Sequence, residues 1–186
     1  IEACLVGSEM CIRDSFRMSG CVMSGILNGI NVLDLSRILA GPYTAQMLSD
    51  LGANVTKIEA PWGDDTRGWG PPFATDFDGE RVAAYFLSCN RGKTILQMNL
   101  KEEKERLMQL IEWADVVVEN FKPGTLERLI GPLPKDTIVC SISGYGATGP
   151  RRDEPGYDLA LQARSGIMSI TGEADGEPVL SLIHIS

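Results

Sequence analysis

Across residues 31–61 the apolar positions describe three elements in succession. A short apolar run opens the stretch and gives way to a turn of small residues, Leu39-Ala40-Gly41-Pro42. Pro42 suits the first turn of a helix, and Leu48 and Leu51 then fall on one face of it. Gly52 closes that helix, and a second apolar run, residues 54–59, begins at once. Strand, turn, helix and strand in this order predict the first unit of a parallel α/β sheet. The turn after the first strand is small enough to let a ligand touch backbone.

The alternation continues down the chain. Residues 60–79 form a loop rich in Gly, Pro, Asp and Trp, followed by an apolar segment at 82–88. Residues 94–100 predict another strand. Residues 102–114 predict an amphipathic helix, with Leu107, Leu110, Ile111 and Ala114 at helical spacing and Glu102 and Glu103 in the first turn. The continuous apolar run at 115–119 predicts a strand buried on both faces. A short helix carrying Leu126, Leu129 and Ile130 should stop at Gly131. A further strand is expected at 137–143 and a helix at 158–165. The fold class is therefore α/β, a Rossmann-like open, mostly parallel sheet with helices on both faces.

Composition narrows the function classes. At 186 residues the chain can hold one domain with a good core. A formal net charge of −8 argues against a nucleic-acid partner or an anionic membrane surface. No apolar run is long enough to span a bilayer. Five cysteines without a CxxC pair fit a reduced, cytoplasmic protein. No metal constellation is visible, and the lone histidine, His184, sits near the end. Residues 1–15 lack the order of a signal peptide and resemble translated sequencing-adapter sequence, as do residues 180–186. Both ends are expected to be non-native, leaving residues 16–179 as a fragment.

In such a sheet ligands sit beyond the carboxyl ends of the strands. The candidates there are Leu39, Ala40, Glu59, Asn120, Phe121 and Tyr145. Asn120 offers an amide donor and acceptor, and Phe121 a flat face for an adenine ring; the plainer alternative is a turn cap and a core residue. Gly144-Tyr145-Gly146-Ala147-Thr148-Gly149 matches GxGxxG, but Pro150 and polar residues follow instead of a helix. It reads as a loop rather than a pyrophosphate cradle. Trp62 and Trp69 either pack their loop onto the sheet, or Trp69 lines a substrate channel while Arg67 meets an anion. Arg128 and Lys101 are surface cations that suit a phosphate-bearing ligand. Locally, Asp175 resembles a hairpin-turn residue and Asp158 a helix N-cap.

Several separated blocks resemble the family III CoA-transferases, the group of formyl-CoA transferase, carnitine CoA-transferase and α-methylacyl-CoA racemase. They are LAGPYTAQMLSDLGANVTKIEAP, GDDTRGWGPP, CNRGKTI, ADVVVENFKPGTLERL, SISGYGATGP and GYDLALQARSGIMSITGEADGEPV. The resemblance implies the N-terminal half of such an enzyme. It implies Asp175 as nucleophile and CoA contacts at Ala40, Asn99, Leu100, Lys101, Asn120, Phe121, Arg128 and Tyr145. Leu39 stands where formyl-CoA transferase has a glutamine, a difference that touches the acyl group accepted. CoA and acyl-CoA are then substrates, with no permanently bound cofactor, and a carboxylic acid is the acceptor. The whole protein is expected to form an interlocked homodimer, and this fragment to be weak or inactive. The racemase branch would use Asp158 and a histidine, because inversion needs a base on each face. No histidine lies between Phe16 and Val179, which favours a transferase. The nucleotide-binding half of a dehydrogenase is the alternative from another class.

Overall fold

Short β-branched and leucine-rich runs pair side by side because pairing satisfies their ladder groups and, at the centre of the sheet, buries both faces. The computed structural model describes residues 10–11, 25–75 and 79–181. His184 and most of the expected leader and tail lie outside them. Contacts divide the chain into two compact units, one ending at Ile142 and the other starting at Ser143.

Among its described residues the first unit holds eight strands: β1 (Met10–Cys11), β2 (Asn31–Asp34), β3 (Asn54–Glu59), β4 (Phe73–Thr75), β5 (Arg81–Ala83), β6 (Thr94–Gln97), β7 (Val116–Glu119) and β8 (Ile138–Ser141). Its helices are α1 (Ala40–Asp50), α2 (Ala84–Asn90), α3 (Lys104–Trp113) and α4 (Thr125–Ile130). The main sheet runs β1-β6-β3-β2-β7-β8, and β4 and β5 form a separate antiparallel pair. From β6 to β8 every pairing is parallel, whereas β1 adds antiparallel to β6. The chain moves outward from β2 through β3 to β6, then returns to β7 on the other flank of β2. The order therefore reverses between β2 and β7, the position where open α/β sheets bind ligands in the crevice at the carboxyl ends of their strands.

Side-chain alternation assigns the two faces. Leu33, Ile58, Leu96 and Val117 pack with Leu107 and Ile111 of α3 and Leu126 of α4. The neighbouring positions Val32, Val55 and Val118 pack with Ala45 of α1. Helices cover both faces, as the periodicity predicts. Leu107 and Ile111 are fully buried one helical turn apart. Each such side chain contributes roughly 1.5–3 kcal/mol through burial.

Two boundaries differ from the sequence reading. β6 stops at Gln97, not at residue 100, because the Asn99 carbonyl accepts from the backbone N–H of both Glu102 and Glu103 and turns the chain. Glu103 consequently precedes α3, and its carboxylate accepts from the Asn99 N–H at 2.9 Å. β2 ends at Asp34, five residues before Leu39, so a shaped turn, not a strand end, carries Leu39 and Ala40.

The second unit contains α5 (Asp158–Ser165) and a 3-10 turn, Ile167–Ile170. Gln162 holds Ser181 through its backbone N–H and carbonyl, so Ser181, two residues past the expected native end, is buried. Gly144 and Gly156 pack backbone to backbone; a Cβ on Gly156 would stand 2.6 Å from the Gly144 Cα. That contact accounts for Gly144, positive φ accounts for Gly146 and Gly149, and no helix opens at Gly149 to receive a phosphate.

Candidate active site

At the β2–β7 reversal residues 35–39 link β2 to α1, and side chains from distant parts of the first unit, most of them buried, hold the backbone of this turn and of the first turn of α1. Asn120, just after β7, accepts from the Arg37 N–H at 2.9 Å and donates to the Arg37 carbonyl at 2.8 Å. Lys57 of β3 donates to the Ser36 carbonyl at 2.8 Å and pairs with Asp64 at 3.2 Å. Asp64 in turn accepts from the Ile38 N–H at 3.4 Å and from the Thr66 N–H and hydroxyl. Lys93 donates to Asp34 (2.8 Å), to the Pro42 carbonyl (2.7 Å) and to Asn90 (3.0 Å). Asp34 also accepts from the Ser36 N–H and hydroxyl.

The turn so held contains Ile38 at φ 72°, the left-handed region that β-branched residues avoid. Gly41 is required beside it, because a Cβ there would collide with the Ser36 side chain. Leu39 precedes α1 without a side-chain cap, so the first N–H groups of the helix face the crevice end of the sheet.

The cluster is balanced in charge. Lys57, Lys93 and Arg67 face Asp34, Asp64 and Glu59, each anion contacting its cation. Burial alone would push the Asp64 carboxyl up, but the Lys57 ammonium and the Thr66 hydrogen bonds outweigh it and hold the group below the usual carboxylate range. For Lys93 desolvation wins: burial pulls the ammonium below its ordinary value despite Asp34. Every buried side-chain nitrogen and oxygen among the described residues has a partner. Unpaired, such charges would cost several kcal/mol each.

The sequence-derived candidates in the first unit take different positions. Leu39 is half-buried and Ala40 exposed at the start of α1. Asn120 clamps the turn between β2 and α1 rather than capping the turn after β7. Phe121 is half-buried against the α3 side of the core, and its N–H donates to Glu119 at 2.7 Å. Asn99, Leu100 and Lys101 lie together in the turn after β6; Asn99 accepts from the Lys101 N–H. Arg128 is exposed on α4 and donates to the Gly124 carbonyl and Thr125 hydroxyl. Arg67 is already matched: it forks onto Glu59 at 2.7 and 3.0 Å and lies 3.9 Å over the Phe86 ring. Trp69 meets Tyr85 edge-on at 5.6 Å. Trp62 does not pack its loop; it is 76% exposed, because the Glu59, Asp64 and Arg67 contacts anchor that loop instead.

In the second unit Tyr145 is half-buried and its hydroxyl accepts from Arg164 at 3.0 Å. Glu154 takes the same guanidinium at 2.7 Å and raises its pKa above the ordinary value. Asp158 is not the N-cap of α5; Tyr157 holds that position, and Asp158 accepts from Gln162 at 2.8 Å one turn on. Asp175 is exposed at φ 62° in a turn closed by the Gly176 N–H donating to the Glu173 carbonyl at 3.0 Å. Aspartate tolerates this conformation better than most residues. Among the described residues of the second unit no ion pair neutralises its carboxylate.

Asp34, Lys57, Asp64, Asn90 and Lys93 escaped the sequence reading. The available signal was a lysine between Val55 and Ile58 in a mostly buried strand. Among the described residues no group of three or more His, Cys, Asp or Glu is placed to hold a metal ion, and no helix is long and apolar enough to cross a membrane.

Comparison with known proteins adds a consistent set of likenesses. The family described as CoA-transferase family III matches residues 27–186. A succinate–glutarate CoA-transferase of Agrobacterium fabrum is 48% identical over 170 residues, covering 86% of this chain and 42% of that protein. A succinyl-CoA:mesaconate CoA-transferase of Haloarcula marismortui is 46% identical over 166 residues, covering 83% of this chain and 42% of that protein. The crystal structure of a CAIB/BAIF family protein from Brucella suis superposes with a TM-score of 0.77 at 48% identity, over 84% of this chain and 43% of that one. The chain thus spans about two fifths of the length of the curated relatives it matches.

Proposed function

The chain belongs to CoA-transferase family III, and from that premise we propose that its full-length parent moves CoA between two dicarboxylic acids. The family match over residues 27–186 carries this reading, supported by relatives named for succinate, glutarate and mesaconate. In the proposed reaction the Asp175 carboxylate attacks the thioester carbonyl of the donor acyl-CoA and expels CoA thiolate, forming a mixed anhydride. The thiolate then attacks the aspartyl carbonyl, giving an aspartyl-CoA thioester and releasing the donor acid. The acceptor carboxylate attacks that thioester, forms a second anhydride and frees the thiolate again. Attack of the thiolate on the acceptor carbonyl yields the new acyl-CoA and regenerates Asp175. Dividing one difficult exchange into four acyl transfers is what covalent catalysis provides.

The first unit is assigned to the coenzyme. The uncapped start of α1 at Leu39 and Ala40 suits phosphate, and Lys101 and Arg128 supply exposed cations. Phe121 offers an aromatic face for adenine, with Asn99, Leu100 and Asn120 as further contacts; Tyr145, in the second unit, is a separate assignment drawn from the shared sequence blocks. Trp69 is assigned to the substrate channel, with Arg67 behind it as an internally paired support. A homodimer and a cytoplasmic location belong to the same proposal. Nothing favours the racemase reading: Asp158 is engaged by Gln162, and the relatives are named as transferases.

The test incubates the full-length parent with succinyl-CoA and glutarate and follows both thioesters by liquid chromatography. Glutaryl-CoA should appear with an equal amount of succinate, and Asp175→Asn should abolish it. Hydrolysis without transfer, or an Asp175→Asn variant of wild-type activity, would overturn the proposal.

A further inference from the structure

The ion pair Lys57–Asp64 belongs to no part of the reaction described above, and it is buried completely. A buried pair is a poor source of stability, because an apolar pair of similar volume is commonly as stable or more so. Its contacts are more specific than its energetics. The Lys57 ammonium bonds the Ser36 carbonyl, and Asp64 receives the Ile38 N–H; one pair therefore grips the backbone on both sides of Arg37. Asn120 holds the two backbone groups of Arg37 between them.

The gripped segment has a conformation that its own residues disfavour. A left-handed Ile38 should be depopulated by a factor of roughly five to 150 relative to an unstrained turn. Its side chain is 37% exposed, so core packing does not force the choice. The strain sits where the strand order reverses, at the lip of the crevice, and directly precedes the first N–H groups of α1.

We infer that Lys57 and Asp64 are positioning residues, holding residues 36–38 in a left-handed turn that sets the coenzyme-binding backbone at the start of α1. The inference rests on the CoA reading of this crevice. It differs from a structural role in one respect: loss of the pair should weaken ligand binding even when the protein stays folded.

The experiment uses the full-length parent with CoA as the titrant in a calorimeter. In the double variant Lys57→Met/Asp64→Leu no buried charge is left unpaired, so the protein should stay folded, with a lower melting temperature for the hydrogen bonds lost, while the CoA Kd rises on the order of tenfold or more. Adding Ile38→Gly makes the left-handed conformation inexpensive and should restore most of the affinity. A double variant with wild-type Kd overturns the inference, as does a third substitution that restores nothing. Ile38→Pro decides independently if the double variant fails to fold, since proline cannot adopt a positive φ. Loss of affinity there supports the inference and unchanged affinity overturns it. A wild-type parent that gives no CoA heat refutes the CoA reading itself, and the inference with it.

Discussion

Lys93→Met isolates the cost of breaking the buried cluster. The Lys93 side chain is inaccessible and satisfies three acceptors, one of them the equally inaccessible Asp34 carboxylate. Methionine fills much the same volume but leaves Asp34 with only the two Ser36 donors. Removing one partner of such a pair costs about 3–5 kcal/mol, most of it the burial of the remaining charge. Arg91–Asp50 supplies the control: it is a two-oxygen contact at 2.8 and 3.0 Å, but its side chains are 50% and 45% exposed. Solvent screening reduces that pair to about 0.2–1 kcal/mol. Urea unfolding followed by tryptophan fluorescence on Lys93→Met and Arg91→Met should separate the two by at least about 2 kcal/mol, taking the near ends of those ranges. Asp34→Asn in the Lys93→Met background should recover part of the loss by removing the stranded charge. Equal costs for Lys93→Met and Arg91→Met would refute the argument that burial dominates here.

Three further outcomes rest on the same geometry. Asp64 titrates below the 3.8 of a free aspartate, so its contribution to stability is present above that value and disappears as the pH falls through the lower folded value. Acid titration of folding should lose part of its slope in Asp64→Asn; an unchanged slope would contradict the assignment. Leu107→Ala removes a fully buried side chain between α3 and the sheet and should cost about 2–5 kcal/mol in urea unfolding. Asp175→Asn keeps a residue that tolerates positive φ at an exposed turn, so it should alter stability by no more than about 0.5 kcal/mol by the same measurement.

The β2–α1–β3 unit was legible because its punctuation is local. Pro42 falls in the first turn of the helix and Gly52 just past its end, and the apolar runs on either side have no polar interruption that matters to pairing. The end of β6 was not legible: Met98 and Leu100 continue an apolar alternation past Gln97, while the hydrogen bonds at Asn99 that end the strand leave no mark in hydropathy. Trp62 misled for a similar reason. An indole predicts burial, but ion pairs rather than aromatic packing hold its loop. Asp158 carries a capping residue type one position too late, since Tyr157 occupies the cap. The buried cluster was hidden by distance along the chain. Lys93 meets Asp34 across 59 residues and Lys57 meets Ser36 across 21, separations that become contacts only once β2, β3 and β6 share a sheet.

The candidate nucleophile shows the limit of local reading from the other side. By its neighbours Asp175 is a turn residue, and the fold agrees: it sits at positive φ in a turn closed by Gly176. The role proposed for it comes from the blocks shared with a family, since an exposed carboxylate on a turn carries no reaction by itself.

The most direct measurement is mass spectrometry of the full-length parent after brief incubation with succinyl-CoA and no acceptor, followed by hydroxylamine quenching. Asp175 should be recovered as a hydroxamate on the tryptic peptide that begins at Ser165, and no adduct should form in Asp175→Asn. Transfer proceeding at full rate with that peptide unmodified, or with the label on another carboxylate, would contradict the account.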